Sequence, residues 1–395
     1  MSGYLSTRQS ILYRLPPLTL SGISIGFAII AALWLVVASV HGEIIAVVAA
    51  VAVFACAHFG RVLAGQRSWV AVEWGLAGYG MFAEFVVYAG IAAAVALHPA
   101  SHPGLAENSL RGTFVASLGG AGAAGLWRLA IIAAILAVLT PMVHLCVHGA
   151  ALSTARQRLF GPPCDVRLPL ACLTVMVLGT RAAFLVVLVL GVAALIAAVI
   201  DGTRQPRDRG QLRGYRGDGR ISIWIGKWVG GRVPPLPPLV VGLLVTGVLA
   251  ALGLRNLPGI LLLTPVEAML LAASASWHPH DGRGDWVVPP LLQAAEYVFI
   301  AEIGFVGGVW PPLTFAVVAA VGLRHLDLAY RVRGGLAAGI DRRGLGWEGR
   351  MIVAGVAAAV GFAPAAYGVL ALYLWWRVAR DWVVGWSARH APVNR

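Results

Sequence analysis

Two glutamates stand where a chain this apolar can least accommodate them. Glu84 lies in Phe82-Ala83-Glu84-Phe85-Val86 and Glu296 in Ala294-Ala295-Glu296-Tyr297-Val298, each inside a run long enough to cross a bilayer. A carboxylate at that depth is costly, so it pairs with a base, holds a cation or carries a proton. Glu267 and Glu302 are further acids in apolar surroundings, and Glu302 falls on a different side of its helix from Glu296. A second concentration of chemistry is His325, Asp327, Tyr330, Arg331 and Arg333, followed by Arg342, Arg343 and Arg350. Guanidinium groups pair bidentately with phosphate, which makes this set a candidate phosphate or lipid-headgroup site. The same arginines would equally serve as an unspecific anchor on anionic lipid. His144 and His148 share a helical face without a third ligand nearby in sequence. His280, Asp281 and Asp285 have the residue types for a divalent cation but sit in a Gly-rich stretch that reads better as a turn. No metal site is therefore expected.

The elements that must position these groups follow from composition. A chain that is 59% hydrophobic, 12% charged and of mean hydropathy +0.80 is an integral membrane protein. Its net charge of +13 would suggest nucleic acid in a soluble protein, but here it reads as the positive-inside signature of a multi-pass one, with no nucleic-acid partner. Arg8 and Arg14 precede a full spanning run without a small-residue cleavage site, so a cleaved signal peptide is not expected. Cys56, Cys146, Cys164 and Cys172 sit in or beside apolar runs, with neither disulfide-framework nor zinc spacing, and are assigned to packing.

Apolar runs predict about 12 transmembrane helices in an all-α protein. The first six cover about 18–40, 43–64, 74–97, 126–148, 168–179 (short) and 182–200. The second six cover about 239–254, 258–277, 287–308, 312–323 (extending towards 333), 351–362 (short) and 364–384. Domains are expected at 1–200 and 238–395, joined by a basic linker over 201–237. That linker carries eight basic residues from Arg204 to Arg232 and three aspartates, a density no membrane helix tolerates. Within it, Ile221–Trp228 mixes apolar, aromatic and basic residues and reads either as a helix lying flat at the headgroups or as a loop with interfacial anchors. With both termini in the cytoplasm, only Arg111, Arg128, Arg181 and Arg255 of the 30 basic residues fall outside.

The second block also restarts the first. Arg232-Val233-Pro234-Pro235-Leu236 repeats Arg14-Leu15-Pro16-Pro17-Leu18, Ala295-Glu296-Tyr297 matches Ala83-Glu84-Phe85, and Glu348-Gly349-Arg350 matches Asp165-Val166-Arg167. Each Arg is followed by a break between short helices, near Arg181 and near Pro364. The landmarks keep their order, as a parallel repeat of two six-helix halves requires. Such a repeat places Glu84 over Glu296, facing the bundle interior, and Arg167 over Arg350.

Asp285-Trp286-Val287-Val288-Pro289-Pro290, Ala294–Tyr297, Arg324–Arg333 and Gly346–Arg350 resemble the uncharacterised membrane domain that follows a CDP-alcohol phosphotransferase domain in some actinobacterial proteins, over about residues 235–388. The first half resembles that six-helix phosphotransferase domain more distantly, through Arg14–Leu18, Glu84–Gly90 and Thr180-Arg181. The resemblance implies transfer of a substituted phosphate from a CDP-linked donor to an alcohol, with four aspartates holding metal against the diphosphate. This chain departs there: no aspartate precedes Asp165, the signature stretch reads Phe54–Ala64, and Leu76, Gly80 and Glu84 stand where acids are sought. Glu73 and Glu84 alone do not replace four aspartates as Mg²⁺ ligands. The function expected is a non-catalytic lipid-binding or scaffold subunit, without cofactor, with membrane lipids and an active phosphotransferase or nucleotidyltransferase as the partners considered. The alternative is a transferase acting on a phospholipid or nucleotide-linked alcohol through the Asp327–Arg350 cluster, in which case Mg²⁺ returns. A transporter is a third class.

Overall fold

The computed structural model describes residues 17–37, 39–65, 70–98, 122–148, 164–204, 220–229, 236–254, 258–275, 285–333 and 345–390. Among them are thirteen α-helices and two short 3-10 turns. The chain forms two compact units, Met1–Gln205 and Pro206–Arg395.

In the first unit the helices are α1 (Pro17–Val36), α2 (Val40–Gly65), α3 (Val70–Leu97), α4 (Gly122–His148), α5 (Cys164–Leu178) and α6 (Thr180–Arg204). α1 packs on α2 and α3, α2 on α5, α3 on α4, and α6 on both α4 and α5, with lesser contacts from α3 to α2, α5 and α6. Small residues let these backbones approach, as helices in lipid require. A Cβ on Gly90 of α3 would come within 2.7 Å of the Ala32 backbone on α1. Pro141 inside α4 and Pro169 inside α5 each remove a helical donor. The Thr140 hydroxyl donates to the Leu136 carbonyl at 2.8 Å, and Thr174 to that of Leu170 at 2.7 Å, which keeps these hydroxyls satisfied inside apolar helices.

The second unit opens with α7 (Arg220–Val229). It continues through α8 (Leu236–Leu254), a 3-10 turn at Pro258–Leu263, α9 (Thr264–Ala275), a turn at Asp285–Val287, α10 (Val288–Val306), α11 (Pro311–Arg333), α12 (Gly346–Ala359) and α13 (Ala363–His390). α8 packs on α9 and α10, α9 on α12, α10 on both α11 and α12, and α13 on both α11 and α12, with lesser contacts from α10 to α9 and α13. Taken in chain order from α8, these are the same neighbours that the first unit has from α1. α7 is the addition, lying against α9 and α12. Gly355 on α12 is pressed on α9 so closely that a Cβ would meet the Thr264 hydroxyl.

The two short helices expected at 168–179 and 351–362 are α5 and α12, and each ends on a left-handed glycine. Gly179 has φ +90° and Gly361 φ +79°, a conformation that ends helices because only glycine adopts it without a Cβ clash. The breaks thus fall just before Arg181 and Pro364, at the glycine rather than at the residues the sequence suggested.

The spans found among the described residues are fewer than the count expected. Among the described residues, six helical segments are long and apolar enough to cross a membrane: Thr19–Val36, Val40–Gly60, Ala77–Leu97, Gly122–Cys146, Thr180–Thr203 and Pro311–Tyr330. Val166–Leu178, Pro237–Leu249 and Gly259–Leu271 are apolar but shorter. The difference from about 12 arises mostly in the second unit. α10 carries Gln293, Glu296 and Glu302 in 19 residues, α12 has only 14, and α13 holds Arg377, Arg380 and Asp381. The predicted helix over 258–277 is divided, its first turn being 3-10.

Candidate functional site

Glu84 sits in the middle of α3 and is 1% exposed. Tyr88, one turn later on the same face, donates its hydroxyl to Oε1 at 3.0 Å. Phe184 of α6 packs beside the Tyr88 ring, centroids 6.3 Å apart. The charge is met by Arg167 in the first turn of α5, with Nη2 donating to Oε2 at 3.4 Å and Nε lying 3.0 Å from Oε1. The Nε approach is misaligned for a hydrogen bond. It therefore counts as charge attraction, and the directed bond is the longer one.

The second unit assembles a denser group. Glu296, on α10 and fully buried, receives Arg350 of α12 through Nε at 2.5 Å and Nη2 at 3.2 Å, a two-pronged guanidinium–carboxylate pair. His325 of α11 reaches the same point, its Nε2 3.3 Å from Glu296 Oε2 and 3.1 Å from Arg350 Nη2. Its other nitrogen, Nδ1, lies 2.6 Å from the Tyr297 hydroxyl. A neutral imidazole has one donor and one acceptor nitrogen, so two arrangements satisfy the ring. Either Nε2–H donates to Glu296 while Tyr297 donates to Nδ1, or Arg350 donates to Nε2 while Nδ1–H donates to the Tyr297 oxygen. Both link α10, α11 and α12, the first through the Glu296 carboxylate and the second through the Arg350 guanidinium. Close packing supports the group: the Tyr367 hydroxyl of α13 donates to the Ile300 carbonyl at 2.5 Å, and a Cβ on Gly304 would meet Thr314 of α11 at 2.6 Å.

The candidates named from sequence are thereby divided. His325 and Arg350 join Glu296, 2% and 1% exposed respectively, where Arg350 is already committed to a carboxylate. Asp327 and Tyr330 are each 5% exposed on the following turns of α11. Arg331 and Arg333 lie on its last turn, where only the backbone is described, and Arg342 and Arg343 lie outside the described residues, so the phosphate set is not seen gathered. Of the cation candidates, His280 and Asp281 also lie outside, Asp285 enters only by its backbone, and Glu73 likewise. His144 is buried on α4, and the side chain of His148 is not described. Glu302 is half-buried, unlike Glu296 on the same helix. Glu267 is fully buried on α9 and accepts from the Thr246 hydroxyl of α8 at 2.5 Å.

Several partners escaped the sequence. The i, i+4 spacing of Glu84 and Tyr88 was a usable signal. Nothing in the sequence joins Tyr297 to His325. A second ion network, Arg324 to Asp381 at 3.0 Å with Arg377 at 3.5 Å from the same carboxylate, fastens α11 to α13. Glu348 accepts from the Ser222 amide at 3.2 Å and so closes the first turn of α7.

A fully buried carboxylate paired with a guanidinium is a net-neutral unit that fixes the relative positions of helices. Among the described residues, no group of three His, Cys, Asp or Glu side chains is placed to hold a metal ion. Fold and site together define a helical, multi-pass membrane protein with a buried acid–base pair in each unit. Residues 210–393, which take in α7 to α13, match the model of a family of unknown function, DUF5941. No curated protein and no solved structure matches the chain.

Proposed function

We propose that this is a non-catalytic membrane protein whose two six-helix units are related by a parallel internal repeat, and that it binds lipid or scaffolds an active membrane transferase. The observation that carries the reading is the state of the two intramembrane acids. Glu84 and Glu296 are each consumed by an arginine from the helix two positions further on, α3 by α5 and α10 by α12. A phosphotransferase needs carboxylates left free to hold Mg²⁺ against a diphosphate. The repeat draws support from the same two pairs and from the matching order of helix neighbours within each unit. The likeness of the first unit to CDP-alcohol phosphotransferases, carried by Arg14–Leu18, Glu84–Gly90 and Thr180-Arg181, would make this a degenerate relative of that family.

Purified protein incubated with Mg²⁺ and CDP-diacylglycerol is expected to release no CMP above a protein-free control. Release that disappears in Glu84→Gln would overturn the reading and place the protein among the transferases.

Orientation is proposed from charge: both termini and the 201–237 linker face the cytoplasm, since all but four basic residues then lie inside. In sealed cells, a cysteine at Arg213 is expected to resist a membrane-impermeant thiol reagent until the cells are opened. Labelling of that cysteine in intact cells would reverse the topology.

A further inference from the structure

Helix α7 turns one face to the protein and another to its surroundings. Ser222, Ile225 and Gly226 are buried, against α9 and α12. The Ser222 amide donates to Glu348, itself fully buried, so a carboxylate anchors the helix where its backbone donors are unsatisfied. The outward face is therefore chosen by the fold. It carries Arg220, Trp224, Lys227 and Trp228, spaced i, i+4, i+7 and i+8 along one stripe. Trp224 is 63% and Trp228 81% exposed.

Two large indoles beside two bases, with no acid anywhere in Arg220–Val229, do not make a water-facing surface. Trp is favoured at the membrane–water boundary, where its ring is apolar and its N–H is hydrated, and Lys and Arg are favoured beside anionic headgroups. The flanking segments add to this, with Arg204, Arg207, Arg209, Arg213, Arg216 and Arg232 against two aspartates, Asp208 and Asp218. Leu236 follows Val229 by seven residues, at most ~25 Å of extended chain. The apolar run Pro237–Leu249 begins there, so α7 is confined near one end of that run.

We propose that α7 is an in-plane membrane anchor, with its Arg220, Trp224, Lys227 and Trp228 face seated among anionic lipid headgroups. It rests on the multi-pass membrane reading and adds a lipid-selective contact to the second unit. The occupant is a lipid surface because the stripe is basic and aromatic without acids, whereas a protein partner would have to supply acids opposite Arg220 and Lys227.

The test uses the full chain in bilayers, with Cys56, Cys146 and Cys164 changed to Ser, Cys172 changed to Ala, and a spin label on Trp228→Cys. In phosphatidylcholine containing phosphatidylglycerol, the label is expected to collide with oxygen and to be protected from a water-soluble nickel complex, relative to the same label on Arg213→Cys. Protection is expected to be lost in pure phosphatidylcholine and in Lys227→Glu. A label on Leu33→Cys, 61% exposed on α1, separates the two levels of the idea. Water at both 33 and 228 would overturn the membrane reading itself. Lipid at 33 with water at 228 would overturn the anchor alone. A label at 228 shielded from both relaxants would mean that protein covers the face, and would also overturn it. Where the cysteine-free chain does not fold, the native-cysteine protein serves: the emission lost in Trp228→Phe is expected to be quenched by lipids brominated just below the headgroup. Absence of that quenching counts against the anchor.

Discussion

Arg350→Ala is expected to destabilise the second unit by about 3–5 kcal/mol, because it leaves the Glu296 carboxylate buried without its counter-charge. Glu296 is fully buried and His325 at 3.3 Å is the nearest remaining base, so water cannot replace the guanidinium without opening the helices. The loss should appear as a lower denaturation midpoint of the purified protein in mild detergent. Removing the carboxylate as well, in Arg350→Met with Glu296→Leu, is expected to recover most of it, since an apolar pair of similar volume no longer strands a charge. Arg350→Ala melting with the wild type would show that the pair does not hold α10, α11 and α12 together. A double variant as unstable as the single one would place the role of Arg350 outside its pairing with Glu296.

Arg167→Ala is expected to cost the first unit a comparable amount, towards the lower end of about 3–5 kcal/mol. The difference comes from Tyr88, whose hydroxyl still donates to Glu84 at 3.0 Å when the arginine is gone. Adding Glu84→Gln should restore part of the stability, because a neutral amide tolerates burial and still accepts from Tyr88. Since the chain forms two compact units, each single variant should loosen its own unit first. Limited proteolysis is expected to cut within 17–204 in Arg167→Ala and within 236–390 in Arg350→Ala. Cleavage of both units in either variant would mean that the units unfold as one and would remove the basis for treating them separately.

These outcomes also bear on duplication. If the units arose by repetition, the Glu–Arg pair is an inherited structural element and the histidine of the second unit is an addition to it.

Much of the architecture was legible in the sequence because lipid leaves few choices. A run of apolar residues in a membrane satisfies its own backbone donors as a helix, so helices follow from composition. Eleven of the twelve predicted apolar segments correspond to single helices, within about six residues at each end. The 258–277 segment failed because Pro258 and Gly259 admit a 3-10 start, a local choice that hydrophobicity does not register. Fewer segments than expected are long and apolar enough to span, among the described residues, for a related reason. Segments such as 364–384 hold charged residues within them, here Arg377, Arg380 and Asp381, which lower the apolarity that a span needs.

The candidate site was legible in its costs and illegible in its solution. Position alone marked Glu84 and Glu296 as expensive and marked Arg167 and Arg350 as recurrent, but it offered the arginines only as residues at helix entrances. That Arg167 would reach Glu84 across 83 residues, and Arg350 reach Glu296 across 54, was decided by α5 packing against α3 and α12 against α10. The same packing turned His325 and Arg350 towards a carboxylate and a tyrosine. The reason is physical: a hydrophobic pattern specifies that a charge must be neutralised inside the bundle, while the identity of the neutralising group depends on which helix faces come within about 3 Å of each other.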